Sequence, residues 1–279
     1  MRTWTGLAFA IGMMVRLGGS EARAELLAYD GFDYASVGSP LLGGNGGSGF
    51  ADSWHAGGFN AVNHDNYLIG SSSLTFSNLL TSGNHVSSGA LTAIGGIVRD
   101  LSTPLAAGMT EYISVLLRPE GVPDQGALNG YFGLYLNAST GNDLFLGKPG
   151  GGSLHNYVIE DRGGARQHAS GVSAVVGEAA LLVVRADLMP GNDRFTLYVN
   201  PTPGAPEPSS GTVKFDSDVG TATGLTIYST GAFSIDEIRV GTTFADVVPV
   251  VPEPSSLVLA GLGLLGLLGV ARCRCQQAA

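Results

Sequence analysis

Apolar and polar residues alternate with a period of two along several stretches of this chain, the pattern of strands that show one face to a core. Residues 111–118 put Ile113, Val115 and Leu117 on one face and Tyr112, Ser114, Leu116 and Arg118 on the other. Residues 131–136 set Phe132, Leu134 and Leu136 against Tyr131, Gly133 and Tyr135. In residues 194–200 the pattern buries Phe195, Leu197 and Val199 and exposes Thr196 and Tyr198. Weaker alternation predicts strands at residues 26–29, 73–76, 97–101, 143–146, 157–160, 181–188 and 225–228. No segment between Glu25 and Val251 carries a convincing helical stripe. Residues 174–182 come nearest, but their valines fit the entrance of a strand better.

The connectors agree with an all-β chain. Met189-Pro190-Gly191-Asn192-Asp193 holds the residues a tight reversal needs, so 181–188 and 194–200 read as an antiparallel hairpin. Four prolines between Pro201 and Pro208 cannot donate to a ladder and end the second strand. Residues 38–58 form a glycine-rich loop carrying Trp54 and His55. In the last strand, 233–240, Phe233 and Ile235 share one phase and Ile238 and Val240 the other. That change predicts a β-bulge at Asp236-Glu237, a device that often re-aims a side chain. No internal repeat is visible, which argues against a propeller or solenoid.

Composition narrows the class. With 279 residues, 43 glycines and 13% charged residues, the chain suits one large β domain plus targeting segments. Between Glu25 and Val251 there are 21 acidic and 9 basic residues, a surface that repels phosphate backbones, so nucleic acid is excluded as a partner. The only cysteines, Cys273 and Cys275, follow the last apolar run, so the central domain has no disulfide.

Both ends read as addresses. Arg2, an apolar stretch from Trp4 to Val15 and the small-x-small exit Ala22-Arg23-Ala24 make a secretory signal peptide, residues 1–24, with cleavage after Ala24. At the other end, Val251-Pro252-Glu253-Pro254-Ser255-Ser256 precedes an apolar run from Leu257 to Ala271 and a basic tail with Arg272 and Arg274. Fifteen helical residues reach about 22 Å, short of the roughly 30 Å hydrocarbon core, so a span needs help from flanking serines and snorkelling arginines. The arginines stay cytoplasmic and the domain lies outside. Gly261-Leu262-Gly263-Leu264-Leu265-Gly266 matches a dinucleotide-binding pattern in letters, but no β-α-β unit surrounds it.

This tail resembles the PEP-CTERM sorting signal of Gram-negative bacteria: Pro252, Glu253 and Pro254 form the motif, and Arg272 and Arg274 the basic end. The resemblance implies transient anchoring in the inner membrane and processing by an exosortase, a membrane cysteine protease acting near the motif. It also implies an association with exopolysaccharide and biofilm matrix. Residues 25–247 resemble the concanavalin A/laminin G-like jelly roll. The opening Tyr29-Asp30-Gly31-Phe32-Asp33-Tyr34 matches its first strand, Gly191 to Pro201 its hairpin, and Phe233 to Gly241 its final strand. The expected fold is therefore an antiparallel two-sheet jelly-roll sandwich, with a signal-peptide helix before it and a short membrane helix within residues 248–279.

The resemblance brings the first and last strands together, which would set Asp30 or Asp33 near Asp236 as a structural calcium site. The alternative is that these aspartates cap turns and accept from backbone N–H groups; no EF-hand-type loop is present. Trp54, Tyr67, Tyr131, Tyr135, Asn137 and Tyr157 are candidates to meet a glycan, with core packing as the competing role. For catalysis, laminarinase-like relatives of this fold alternate two glutamates and an aspartate on one strand. No such arrangement occurs, Glu160 and Asp161 point to opposite faces of a strand, and the five histidines lack ligand spacing. The reading is a noncatalytic, exported surface or matrix protein that associates with glycans. The alternatives are a divergent secreted glycoside hydrolase or lyase, and a purely structural adhesion or coat component.

Overall fold

The computed structural model describes residues 25–89, 93–121, 130–150 and 155–251. Residues 1–24, expected to be a signal peptide, and the tail from Pro252 onward lie outside them. In chain order the strands are β1 (Leu26–Asp30), β2 (His55–Ala56), β3 (Leu68–Ile69), β4 (Val86–Ser88), β5 (Gly95–Leu105), β6 (Thr110–Pro119), β7 (Phe132–Ala138) and β8 (Leu144–Lys148). They continue with β9 (Asn156–Asp161), β10 (Ala165–Ser173), β11 (Ala180–Asp187), β12 (Asp193–Val199), β13 (Thr212–Ser217), β14 (Ala222–Ser229) and β15 (Phe233–Gly241), and a single turn of helix, α1 (Phe244–Val247), follows.

Two antiparallel sheets result. One has eight strands in the order β13-β12-β11-β6-β15-β4-β3, with β1 also on β15; the other has seven in the order β10-β9-β8-β7-β14-β5-β2. Ile113, Val115 and Leu117 of β6, Phe132, Leu134 and Leu136 of β7, and Phe195 and Leu197 of β12 meet in one core between the sheets, the faces their alternation predicts. The β11–β12 hairpin forms in continuous register from Leu182 opposite Val199 to Asp187 opposite Arg194. The predicted bulge is present: the β15–β6 register shifts between Asp236 and Arg239, and Glu237 takes the left-handed φ of 55°.

The eight-stranded sheet is covered on its outer face as well. Leu116, Leu181, Val183 and Tyr198 pack there against Leu74, Leu79, Phe244 and Val248. The α1 turn is fixed by a capping box between Thr243 and Asp246, and by the Ser114 hydroxyl donating to the Val247 carbonyl at 2.7 Å. Tyr198, expected to be exposed, is buried under this cover, and Thr196, likewise expected to be exposed, is buried too. The cover also corrects the strand predicted at 73–76, which joins no ladder and serves as part of the lid. Its Leu74 N–H and Ser73 hydroxyl donate to Asp236 at 2.7 and 2.6 Å instead of to a neighbouring strand.

Candidate functional site

The outer face of the seven-stranded sheet is built from side chains one step out of phase with the core. Leu134, Leu146 and Ile159 turn inward, so Tyr135, Phe145 and Glu160 turn outward, and the register lines them up: Tyr135 opposite Phe145, Phe145 opposite Glu160. In the next row Tyr228 lies opposite Gly133, and Gly133 opposite Gly147. These glycines make the hollow. A Cβ on Gly133 would come within 2.3 Å of the Leu146 carbonyl oxygen and 2.6 Å of the Phe145 ring, and one on Gly147 within 2.3 Å of the Phe132 carbonyl oxygen and 2.8 Å of the same ring, so the backbones and the ring close up where side chains would sit.

Aromatic rings enclose a groove of about 680 Å³ above this floor, within the size range of small-ligand sites. Tyr131 stacks on Tyr228 with centroids 5.3 Å apart, and Phe59 meets Tyr135 and Tyr228 edge-on at 4.9 and 5.5 Å. The Tyr228 hydroxyl donates to the Phe59 carbonyl at 2.9 Å, which ties the 57–61 loop to the sheet. Polar groups form the opposite wall. The Gln167 amide donates to Glu160, and the Arg162 guanidinium lies 4.5 Å from the Phe59 ring and 3.3 Å from Asp143. Burial pushes the Glu160 carboxyl above its ordinary range, against the opposing Gln167 hydrogen bond and with Asp161 adding to the rise. Glu160 and Asp161 do face opposite ways: Asp161 turns inward to Lys214, Arg166 and Ser217.

Of the aromatic candidates read from sequence, Tyr131 and Tyr135 lie in the groove. The structure does not bring the others there. Trp54 is fully buried, its indole N–H donating to Asp30 at 2.9 Å. Tyr67 and Tyr157 are buried in the core, and Asn137 accepts from the Thr226 hydroxyl at 2.7 Å. Phe59, Phe145, Arg162, Gln167 and Tyr228 line the groove without having been singled out, and Glu160, weighed from sequence only as a catalytic carboxylate, joins them, because only the sheet order makes neighbours of them.

The three aspartates expected at a calcium ion do not converge. β1 does pair with β15, but Asp30 lies opposite core-facing Ile238 and points between the sheets, whereas Asp236 points outward beneath Leu74. Asp30 accepts from Phe32 N–H, the Tyr34 hydroxyl, Trp54 and Arg99, and Asp236 from Ser73, Leu74 and Glu237, while Asp33 is exposed. Carboxylates saturated by N–H and O–H donors on opposite faces of one sheet do not fit a shared cation. Elsewhere, Asp52, His55 and Asp100 bring ligand-type atoms within 4.8 Å of one another at the surface.

At the end of the described chain, Val250 and Val251 run against residues 78–80. Residues 250–274 match the PEP-CTERM protein-sorting motif. This sorting motif implies export, C-terminal membrane anchoring before sorting, and handling by an exosortase. Pro252, Glu253, Pro254, Ser255, Ser256, Arg272 and Arg274 lie outside the described residues, as do Ala22 and Ala24. Among the described residues no helix is long and apolar enough to cross a membrane. No curated protein matches the chain. Solved structures similar to it include an endo-1,3-beta-glucanase from Streptomyces sioyaensis (10% identity, 80% of this chain and 98% of that one, TM-score 0.45). The T. cruzi calreticulin globular domain is similar at 11% identity over 75% and 92% of the two chains, TM-score 0.42. A legume lectin-like domain from Entamoeba histolytica follows at 10%, 63% and 89%, TM-score 0.38.

Proposed function

We propose that this is a noncatalytic cell-surface or matrix protein, exported through its signal peptide and sorted by an exosortase, whose domain holds exopolysaccharide in the aromatic groove. The observation that carries this reading is the groove's division of labour. Half-buried Tyr131 and Phe59 offer ring surface to the apolar face of a sugar above a packed floor of Tyr135, Phe145 and Tyr228, and exposed Gln167 and Arg162 offer hydrogen bonds to its hydroxyls. A hydrolase reading finds support in Glu160, whose carboxyl burial pushes above its ordinary range, the direction a general acid needs. Against it, Glu160 is the one carboxylate among the described residues lining the groove, and glycosidases ordinarily use two.

A glycan array and a reducing-sugar assay on residues 25–251 test both readings. Saturable binding without turnover is expected. Tyr131→Ala and Gln167→Ala, both on the groove's open side, are each expected to weaken binding about tenfold, about 1.4 kcal/mol. Turnover abolished by Glu160→Gln would replace the proposal with the hydrolase, and the absence of binding and turnover alike would leave a purely structural coat component.

A further inference from the structure

The residues just before the Pro-Glu-Pro motif are not a free linker. Val248 is buried beside Phe244 and Val247 on the outer face of the eight-stranded sheet. The chain then pairs antiparallel with residues 78–80. Leu80 N–H donates to the Pro249 carbonyl at 2.8 Å, Val251 N–H donates to the Asn78 carbonyl at 3.1 Å, and Leu79 lies opposite Val250. Val250 also covers Gly204 of the proline-rich loop, where a Cβ would come within 2.8 Å of its Cγ1. Pro252 follows Val251 directly, so no residue separates this clasp from the motif, and the matched region starts inside it at Val250.

The geometry points to a gate: residues 249–251 must peel away from 78–80 before the membrane protease can take the sorting motif, so clasp opening sets the rate of tail removal. This rests on the sorting reading above. The reach of the chain supports it. Six residues lead from Val251 to Leu257, at most about 20 Å when extended, so an anchored domain is held against the membrane. Releasing three more residues adds about 10 Å. Proteins that bind an extended peptide commonly pair with its main-chain groups, and here the Pro249 carbonyl and Val251 N–H are already engaged by the domain. The clasp is also slight enough to open without unfolding the body. It has two hydrogen bonds, and Leu80 and Val251 are 41% and 50% exposed.

A cross-link tests the gate in the full chain. Leu79 and Val250 form a non-hydrogen-bonded antiparallel pair, whose usual Cα separation of about 4.5 Å falls in the disulfide range. Leu79→Cys with Val250→Cys, in a Cys273→Ser, Cys275→Ser background, is expressed in cells that carry the exosortase, and tail loss is followed by pulse-chase. The oxidised chain is expected to keep its tail at least tenfold longer than the same chain after reduction. Gly204→Ala, which pushes Val250 outward from a φ of 78°, is expected to be processed severalfold faster than the natural chain. Equal rates for oxidised and reduced chains, or no acceleration by Gly204→Ala, would overturn the gate while leaving sorting intact. A natural chain that never loses its tail in these cells would overturn the sorting reading and the gate together.

Discussion

Replacing Asp30 with asparagine strands a cation between the two sheets. Arg99 is 2% exposed and places Nη1 2.6 Å from the fully buried Asp30 carboxylate. Its other contacts are neutral: the Asn45 side-chain oxygen at 3.2 Å, the Asp52 carbonyl at 2.9 Å, and the Phe50 ring at 4.2 Å. Removing one member of a buried pair costs about 3–5 kcal/mol. An asparagine still accepts from Trp54 or Phe32, so about 3 kcal/mol is expected for Asp30→Asn. Arg99→Met leaves the carboxylate three donors, Phe32 N–H, Tyr34 and Trp54, and should cost about 2 kcal/mol. The double variant should cost less than the sum by at least about 1.5 kcal/mol, since no lone charge remains. Urea unfolding of residues 25–251 measures this, with Trp54 as the one tryptophan in the segment. An Asp30→Asn loss below 1 kcal/mol, or additive variants, would refute the reasoning. So would a loss that appears with calcium and vanishes in EDTA, which would make Asp30 a metal ligand.

Other outcomes follow from the same geometry. Burial, then the charge of Glu25, pushes the Glu111 carboxyl up from 4.5 to about 7. The folded state therefore holds a proton that the unfolded state releases, and its contribution is complete at low pH and lost as pH rises toward 7. Glu111→Gln should match the natural chain near pH 4.5 and exceed it by about 2 kcal/mol at pH 8, read from denaturant midpoints at both pH values; a difference independent of pH would contradict this. A Cβ on Gly133 would come within 2.3 Å of the Leu146 carbonyl oxygen as well as against the Phe145 ring, so Gly133→Ala should push β7 and β8 apart and lower the melting temperature; an unchanged melting temperature would contradict the close packing of these strands. Asp246→Ala removes the reciprocal cap of α1 and its bond to Glu25 N–H, and should lower stability by about 1 kcal/mol in thermal melts.

Alternation in residues 111–118, 131–136 and 194–200 identified the core-facing side chains correctly because one face of each strand meets the opposite sheet. The same alternation says nothing about what covers the other face, and so Tyr198 reads as exposed although Phe244 lies against it, ring centroids 6.1 Å apart. Residues 73–76 alternate like a strand, yet the bulge at Asp236 takes their backbone donor. β10 shows the opposite problem: an edge strand exposed along most of its length carries no apolar rhythm to read. Trp54 looks like a free aromatic until Asp30, 24 positions away, supplies the partner its indole N–H needs. The groove was half legible. Tyr131 and Tyr135 share one strand phase, but Glu160, Gln167 and Tyr228 join them only through the order β10-β9-β8-β7-β14.

The most direct test of the groove as the site of function is calorimetric titration of residues 25–251 with soluble fragments of the producing organism's exopolysaccharide, in parallel with Tyr131→Ala. A saturable isotherm for the natural domain, weakened about tenfold by the substitution while the variant stays folded at the assay temperature, is the predicted result. An isotherm identical for the two proteins would place glycan binding elsewhere and contradict the account.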